Sequence, residues 1–129
     1  MSYAWDLAER AMKSSGLEEY DIVQEGDVKT LEFPLGKITV VFSVMQEDGE
    51  FLLGSDDPLF GEKLELRVLC AEKTGESGCM QAAKKLCMEL IRLDYEKMIT
   101  GISRQNSRFD ENFCCYEAVV RLDIRNHRG

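Results

Sequence analysis

The chain has 129 residues, is 44% hydrophobic and 31% charged, and carries a formal net charge of -8 at pH 7. That length supports one domain with a single core. The acidity argues against a duplex-binding surface, which needs clustered Lys and Arg to neutralise phosphate, and no apolar run approaches the roughly 20 residues that span a bilayer.

Residues 3 to 15 are expected to be a helix, with Ala4, Leu7, Ala8, Ala11 and Met12 as one stripe, Ser2 as its N-cap and Gly16 as a left-handed stop. Trp5 at the stripe's edge belongs to core or interface. Tyr20 to Gln24 is a short strand, Gly26-Asp27 a turn, and Val28 to Phe33 a second strand ended by Pro34. Lys37 to Met45 is the strongest strand in the sequence. Ile38, Val40, Phe42 and Val44 lie on one side and Val41 and Met45 on the other, which fits a central strand or one also covered by a neighbouring subunit.

Gln46 to Gly61 reads as a long loop. It holds Glu47, Asp48, Glu50, Asp56 and Asp57 together with apolar Phe51, Leu52, Leu53, Leu59 and Phe60. Loops of this length inside a compact domain are usually functional or mobile. Its apolar residues either form a partner-binding arm or tuck into the core.

Lys63 to Leu93 is the stretch around which the chain is organised. Leu64, Leu66, Val68 and Cys70 alternate with Glu65 and Arg67 as a strand. A polar turn from Glu72 to Gly78 follows, capped by Ser77 or Gly78. The period then lengthens to three and four residues at Cys79, Ala83, Leu86, Leu90 and Leu93, flanked by Met80, Cys87 and Ile91, which makes a broad helical face. Tyr95 to Ser103 is a further strand, Arg104 to Asn112 a polar turn, and Phe113 to Arg125 a strand with Tyr116, Ala118, Val120, Leu122 and Ile124 on one side. Helix, three strands, loop, strand, helix and two strands make an α+β two-layer sandwich. Its sheet is mixed or mostly antiparallel, and both helices lie on one face.

No catalytic motif stands out. Cys79 and Cys87 are eight apart on one helix, too distant to share a tetrahedral metal, Cys114-Cys115 alternate across a strand, and the single His127 lies in the tail. Gly75 and Gly78 bracket Glu76, whose charge would repel a phosphate. Asp56-Asp57-Pro58 fits a plain turn. The five cysteines are expected to be free buried thiols, because the start MSYAWDLAER lacks a basic-then-apolar signal pattern. No catalytic residue, cofactor or metal is expected, and the chain is not expected to be an enzyme.

FPLGKITVVFSV follows a leading helix. The strand-turn-helix LELRVLCAEKTGESGCMQAAKKLCMEL then precedes the closing strand CYEAVVRLDI. This order resembles the tail terminator proteins of contractile or long-tailed phages and of phage-tail-like bacteriocin particles. The resemblance implies a structural protein that forms a homo-oligomeric ring, typically a hexamer, to cap the tail tube and sheath and end their polymerisation. It implies self, tube and sheath proteins as partners, without sequence-specific nucleic-acid or membrane binding. Assembly would take place in the bacterial cytoplasm, after which the protein would be part of the virion or particle. The interface is expected at Glu47, Asp48, Phe51, Leu52, Leu53, Asp56 and Asp57, with some acids toward a lumen where DNA must slide without sticking. A neighbouring head-tail connector, or a small acidic dimeric secretion or folding chaperone, is the alternative.

Overall fold

The computed structural model describes residues 3–16, 20–33, 35–50 and 59–127. Its elements in chain order are α1 (Tyr3–Ser14), β1 (Tyr20–Gln24), a 3-10 helix (Glu25–Thr30), β2 (Ile38–Glu50), β3 (Leu59–Ala71), a 3-10 turn (Glu72–Thr74), α2 (Gly75–Leu93), β4 (Ile99–Asp110) and β5 (Cys115–His127). The sheet has five strands in the order β1-β2-β3-β5-β4. β1 and β2 are parallel and every other pair is antiparallel. The architecture is the α+β sandwich that the sequence implies.

Both helices bury their apolar stripes on one sheet face. Leu7, Ala8 and Ala11 of α1 and Cys79, Ala83, Leu86 and Leu90 of α2 are wholly enclosed, packed with Val40, Leu66, Val68, Ala118 and Val120. Each enclosed leucine contributes about 1.5–3 kcal/mol by leaving water. Trp5 meets Phe42 edge-on at 5.2 Å. Gly16, at φ +80, ends α1 in the left-handed conformation that glycine tolerates. Gly75, at φ +76, turns β3 into α2, so the helix starts there, and Ser77 and Gly78 lie inside it rather than capping it. Ile91, expected on the flank of the buried face, is exposed.

Val28 to Phe33 is not a strand. Parallel neighbours cannot be joined by a tight turn, so the chain must cross a sheet face between β1 and β2. It crosses the face opposite the helices, as the 3-10 helix and the segment after it. Val28, Leu31, Phe33 and Leu35 cover Val41, Leu69 and Cys115 there, and Phe33 stacks on Phe113 at 4.8 Å. The second apolar side of β2 is thus covered at Val41 by the chain itself, which is fully buried.

Two expected loops are also strands. Gln46 to Gly61 is not one long loop, because Gln46 to Glu50 and Leu59 to Lys63 continue the β2–β3 ladder past a bulge at Met45. The polar stretch from Arg104 lies in β4, which runs to Asp110 as an edge strand. An edge strand tolerates exposed polar residues. The turn is confined to residues 111–114.

A buried carboxylate fixes the passage from α2 to β4. Asp94, 5% exposed, accepts hydrogen bonds from the Tyr3 hydroxyl at 2.6 Å, the Met98 amide at 3.0 Å and the Ile99 amide at 2.9 Å. Burial would raise its pKa. The bonds from Tyr3, Ile99 and Met98, with Lys97 nearby, outweigh that and hold the carboxyl below the ordinary 3.8. Burial and the bond to Asp94 push the Tyr3 hydroxyl up to about 12. A depressed carboxyl stabilises the fold above its unfolded pKa, and that stability is lost as pH falls through the folded value. Asp94→Asn, which turns one acceptor into a donor facing backbone amides, is expected to cost about 1–3 kcal/mol at neutral pH in urea titration. The gap to wild type should narrow as pH drops below 3.8. A gap that is constant with pH would show that the charge of Asp94 has no part in it.

Candidate assembly interface

The helix layer stops before the sheet does. On β2 the last helix-covered side chain is Phe42, and the next one on that face, Val44, is 48% exposed. Below it the sheet continues, with Gln46 to Glu50 paired to Leu59 to Lys63 and Leu59 to Glu62 paired to Ile124 to His127; β4 flanks β5 as far as Ile124, and past that level β2, β3 and β5 project alone. Gln46 to Glu50 alone adds about 16 Å of strand.

One side of this projection is bare. β1 pairs with β2 only from Ile38 to Phe42, then leaves at Gln24 for the crossover. Among the described residues, the outer edge of β2 has no partner from Ser43 to Glu50. A notch of about 450 Å³ marks the departure point, lined by Trp5, Gln24, Gly26, Phe42 and Val44. Glu47 and Glu62 are direct Cα partners, and like charges opposite one another destabilise a ladder.

The expected interface residues therefore divide. Glu47 and Asp48 stand on β2 at the bare edge, in a strand rather than in a loop. Phe51, Leu52, Leu53, Asp56 and Asp57 lie outside the described residues, so nothing places them with the others.

The opposite edge of the sheet is β4, which is basic over its middle. Arg104 and Arg108 are exposed, and Arg104 shares a groove with Lys84, Met80 and Gln81 of α2. On the face away from the helices, Glu117 is 4% exposed. Its carboxylate takes Arg67 on one oxygen and, at 3.4 Å, Arg108 on the other. A third exposed feature is the pair Met88 and Ile91 on the outside of α2, with Tyr95 in the turn just past its end. Arg104 and Arg108 escaped the sequence reading because RQNSRFDEN looks like a turn. The available signal was that this stretch contains neither glycine nor proline.

Among the described residues, no group of three His, Cys, Asp or Glu side chains is arranged to hold a metal, no buried side-chain nitrogen or oxygen lacks a hydrogen-bond partner, and no helix is long and apolar enough to cross a membrane. A scan of protein-family models finds no match to the chain, and a search of curated proteins returns no similar sequence.

All five cysteines are free. The Cys70 thiol is pushed up by its contact with Cys79 and by burial, and burial raises Cys115 to about 11. Burial also raises Cys87. Cys114 alone is exposed. Thiol titration of native protein should therefore find one fast group, which Cys114→Ser abolishes. Unreduced denatured protein should give five. Fewer than five would reveal a disulfide and contradict the assignment.

Proposed function

We propose that this chain is a non-catalytic assembly protein that closes into a ring and caps a tail tube, as the tail terminators it resembles do. One observation carries the reading: a sheet that outruns its helices as an acidic projection, with one edge that no strand pairs among the described residues. Exposed strand edges are normally blunted or covered. A long edge left unpaired among the described residues offers backbone groups to a partner strand. Repeated head-to-tail contacts of that kind generate closed rings where the rotation between copies closes. The net charge of -8 suits a ring through which DNA passes without sticking. The exposed Met88, Ile91 and Tyr95 supply a separate surface for the tube or sheath protein.

That same surface favours a second reading, an acidic chaperone that holds an apolar segment of its client. A chaperone of that kind would be a closed dimer.

The test is to shorten the projection. Gln46 and Lys63 are Cα partners, so an Asn-Gly turn can join them and remove residues 47–62. The subunit should keep its circular dichroism spectrum, because every helix-covered core residue of the sheet except Ile124 pairs above the cut. Wild-type protein should form rings of uniform diameter in negative stain and, with tube protein, tubes of uniform length. The shortened protein should form neither. Rings that persist after the cut would dismiss the projection as the assembly element, and a wild-type closed dimer would favour the chaperone.

A further inference from the structure

We infer that the outer edge of β4 and the flank of α2 beside it form a docking groove for an extended peptide of a partner protein, one with a carboxylate and an aliphatic side chain at alternate positions. The groove lies at the opposite edge of the sheet from the bare part of β2 and does not depend on the ring.

β4 is the last strand of the sheet. β5 pairs with one side of it, and no described strand pairs with the other. Its register is unbroken from Gly101 to Gln105, between two irregularities. That run offers about 16 Å of regular backbone. A peptide that adds to such an edge takes its affinity from main-chain hydrogen bonds and its selectivity from pockets for alternate side chains.

α2 supplies the wall of the groove. It runs antiparallel to β4, because the Ser107 hydroxyl donates to the Glu76 carbonyl near the start of the helix, whereas the end of the helix leads into the start of β4. Ser77, Met80, Lys84, Met88 and Ile91 recur at three- and four-residue steps, so they share one flank of α2. Ser77, Met80 and Lys84 line the groove with Arg104, and the exposed Met88 and Ile91 continue that flank. On β4, Ile102 and Arg104 pair with Leu122 and Val120, which belong to the helix-side core. Directly opposed residues share a face, so Ile102 and Arg104 also lie on the helix side.

The charges name the occupant. Arg104 and Lys84 are both exposed, and among the described residues no ion pair engages either. Glu76 lines the same groove, about 12 Å along the helix from Lys84. A carboxylate seated between Arg104 and Lys84 gains two charge-assisted partners. The next residue on that side of the peptide lies about 7 Å away. Toward Ile102 it meets Met88 and Ile91, which suit an aliphatic side chain.

The probe is an end-blocked, fluorescein-labelled peptide, Thr-Leu-Thr-Glu-Thr-Leu-Thr, whose pattern reads the same in either strand direction. Fluorescence anisotropy should show saturable binding to the wild-type protein, weakening as salt rises. A peptide with lysine in place of glutamate should bind about tenfold more weakly. Arg104→Glu and Lys84→Glu, on different elements, should each weaken the glutamate peptide to a similar degree, and the two together should prefer the lysine peptide. All these side chains are exposed, so circular dichroism should not change. N-methylation of alternate peptide amides should abolish binding. No saturable binding at millimolar peptide would overturn the groove. So would equal affinity for the two peptides, or indifference to N-methylation. Self-association that Arg104→Glu breaks, with peptide binding intact, would make a second copy the occupant and also overturn it. A wild-type protein that never closes into rings would dismiss the ring and leave this titration standing, whereas rings without peptide binding would dismiss the groove alone.

Discussion

A parallel pair of strands at the edge of a sheet forces a long return path, and most of this molecule follows from that constraint. β1 and β2 run the same way, so the chain between them must travel the length of the strands again before it can enter β2. It does so across the face that the helices leave open. Val28, Leu31, Phe33 and Leu35 become the second cover of the sheet, over Val41, Leu69 and Cys115. Because β1 is short and the crossover departs at Gln24, the same event leaves the rest of β2 without an outer neighbour among the described residues. One topological choice thus closes a face and opens an edge.

Electrostatics separate the structural charges from those available to a partner. Asp94 and Glu117 are buried at 5% and 4% exposure and fully engaged, one by Tyr3 and two backbone amides, the other by Arg67 and Arg108. Truncating a partner of such a buried charge typically costs several kcal/mol, because the remaining charge stays desolvated. Pairs such as Lys37–Asp21 and Arg121–Glu65 are half-exposed on at least one side and contribute little. Of the charges at the two sheet edges, Arg108 on β4 belongs to the first class through Glu117, while Arg104 is exposed. The acidic end of β2 and the basic middle of β4 lie at opposite edges of one sheet.

The sequence was most legible where one periodicity held for a whole element. The strand-to-helix change between Cys70 and Cys79 and the alternation from Tyr116 to Ile124 appear in the structure as read, and so does the buried stripe of α1. It was least legible where long-range pairing overrides local composition. Val28, Leu31, Phe33 and Leu35 are spaced nearly like a strand, but their partners lie on a sheet face rather than in a ladder. Glu47, Asp48 and Gly49 have turn-like composition and are held extended by β3, a partner that no local window contains. Arg104 and Arg108 sit in a polar stretch that is a strand only because β5 supplies one side of its ladder. Of the candidate site, the acidic half was visible in the sequence. The basic half depended on knowing which strands are edges.

The central claim is that the outer edge of β2 below Phe42 is where a second chain sits. Hydrogen–deuterium exchange across β2, followed by mass spectrometry, tests this in the unmodified protein by comparing dilute subunit with assembled particles. The account predicts that amides of Ile38–Phe42, already between β1 and β3, exchange slowly in both states. The outward amides of Ser43–Glu50 should exchange fast in the subunit and become protected on assembly. Equal exchange of Ser43–Glu50 in the two states would contradict it.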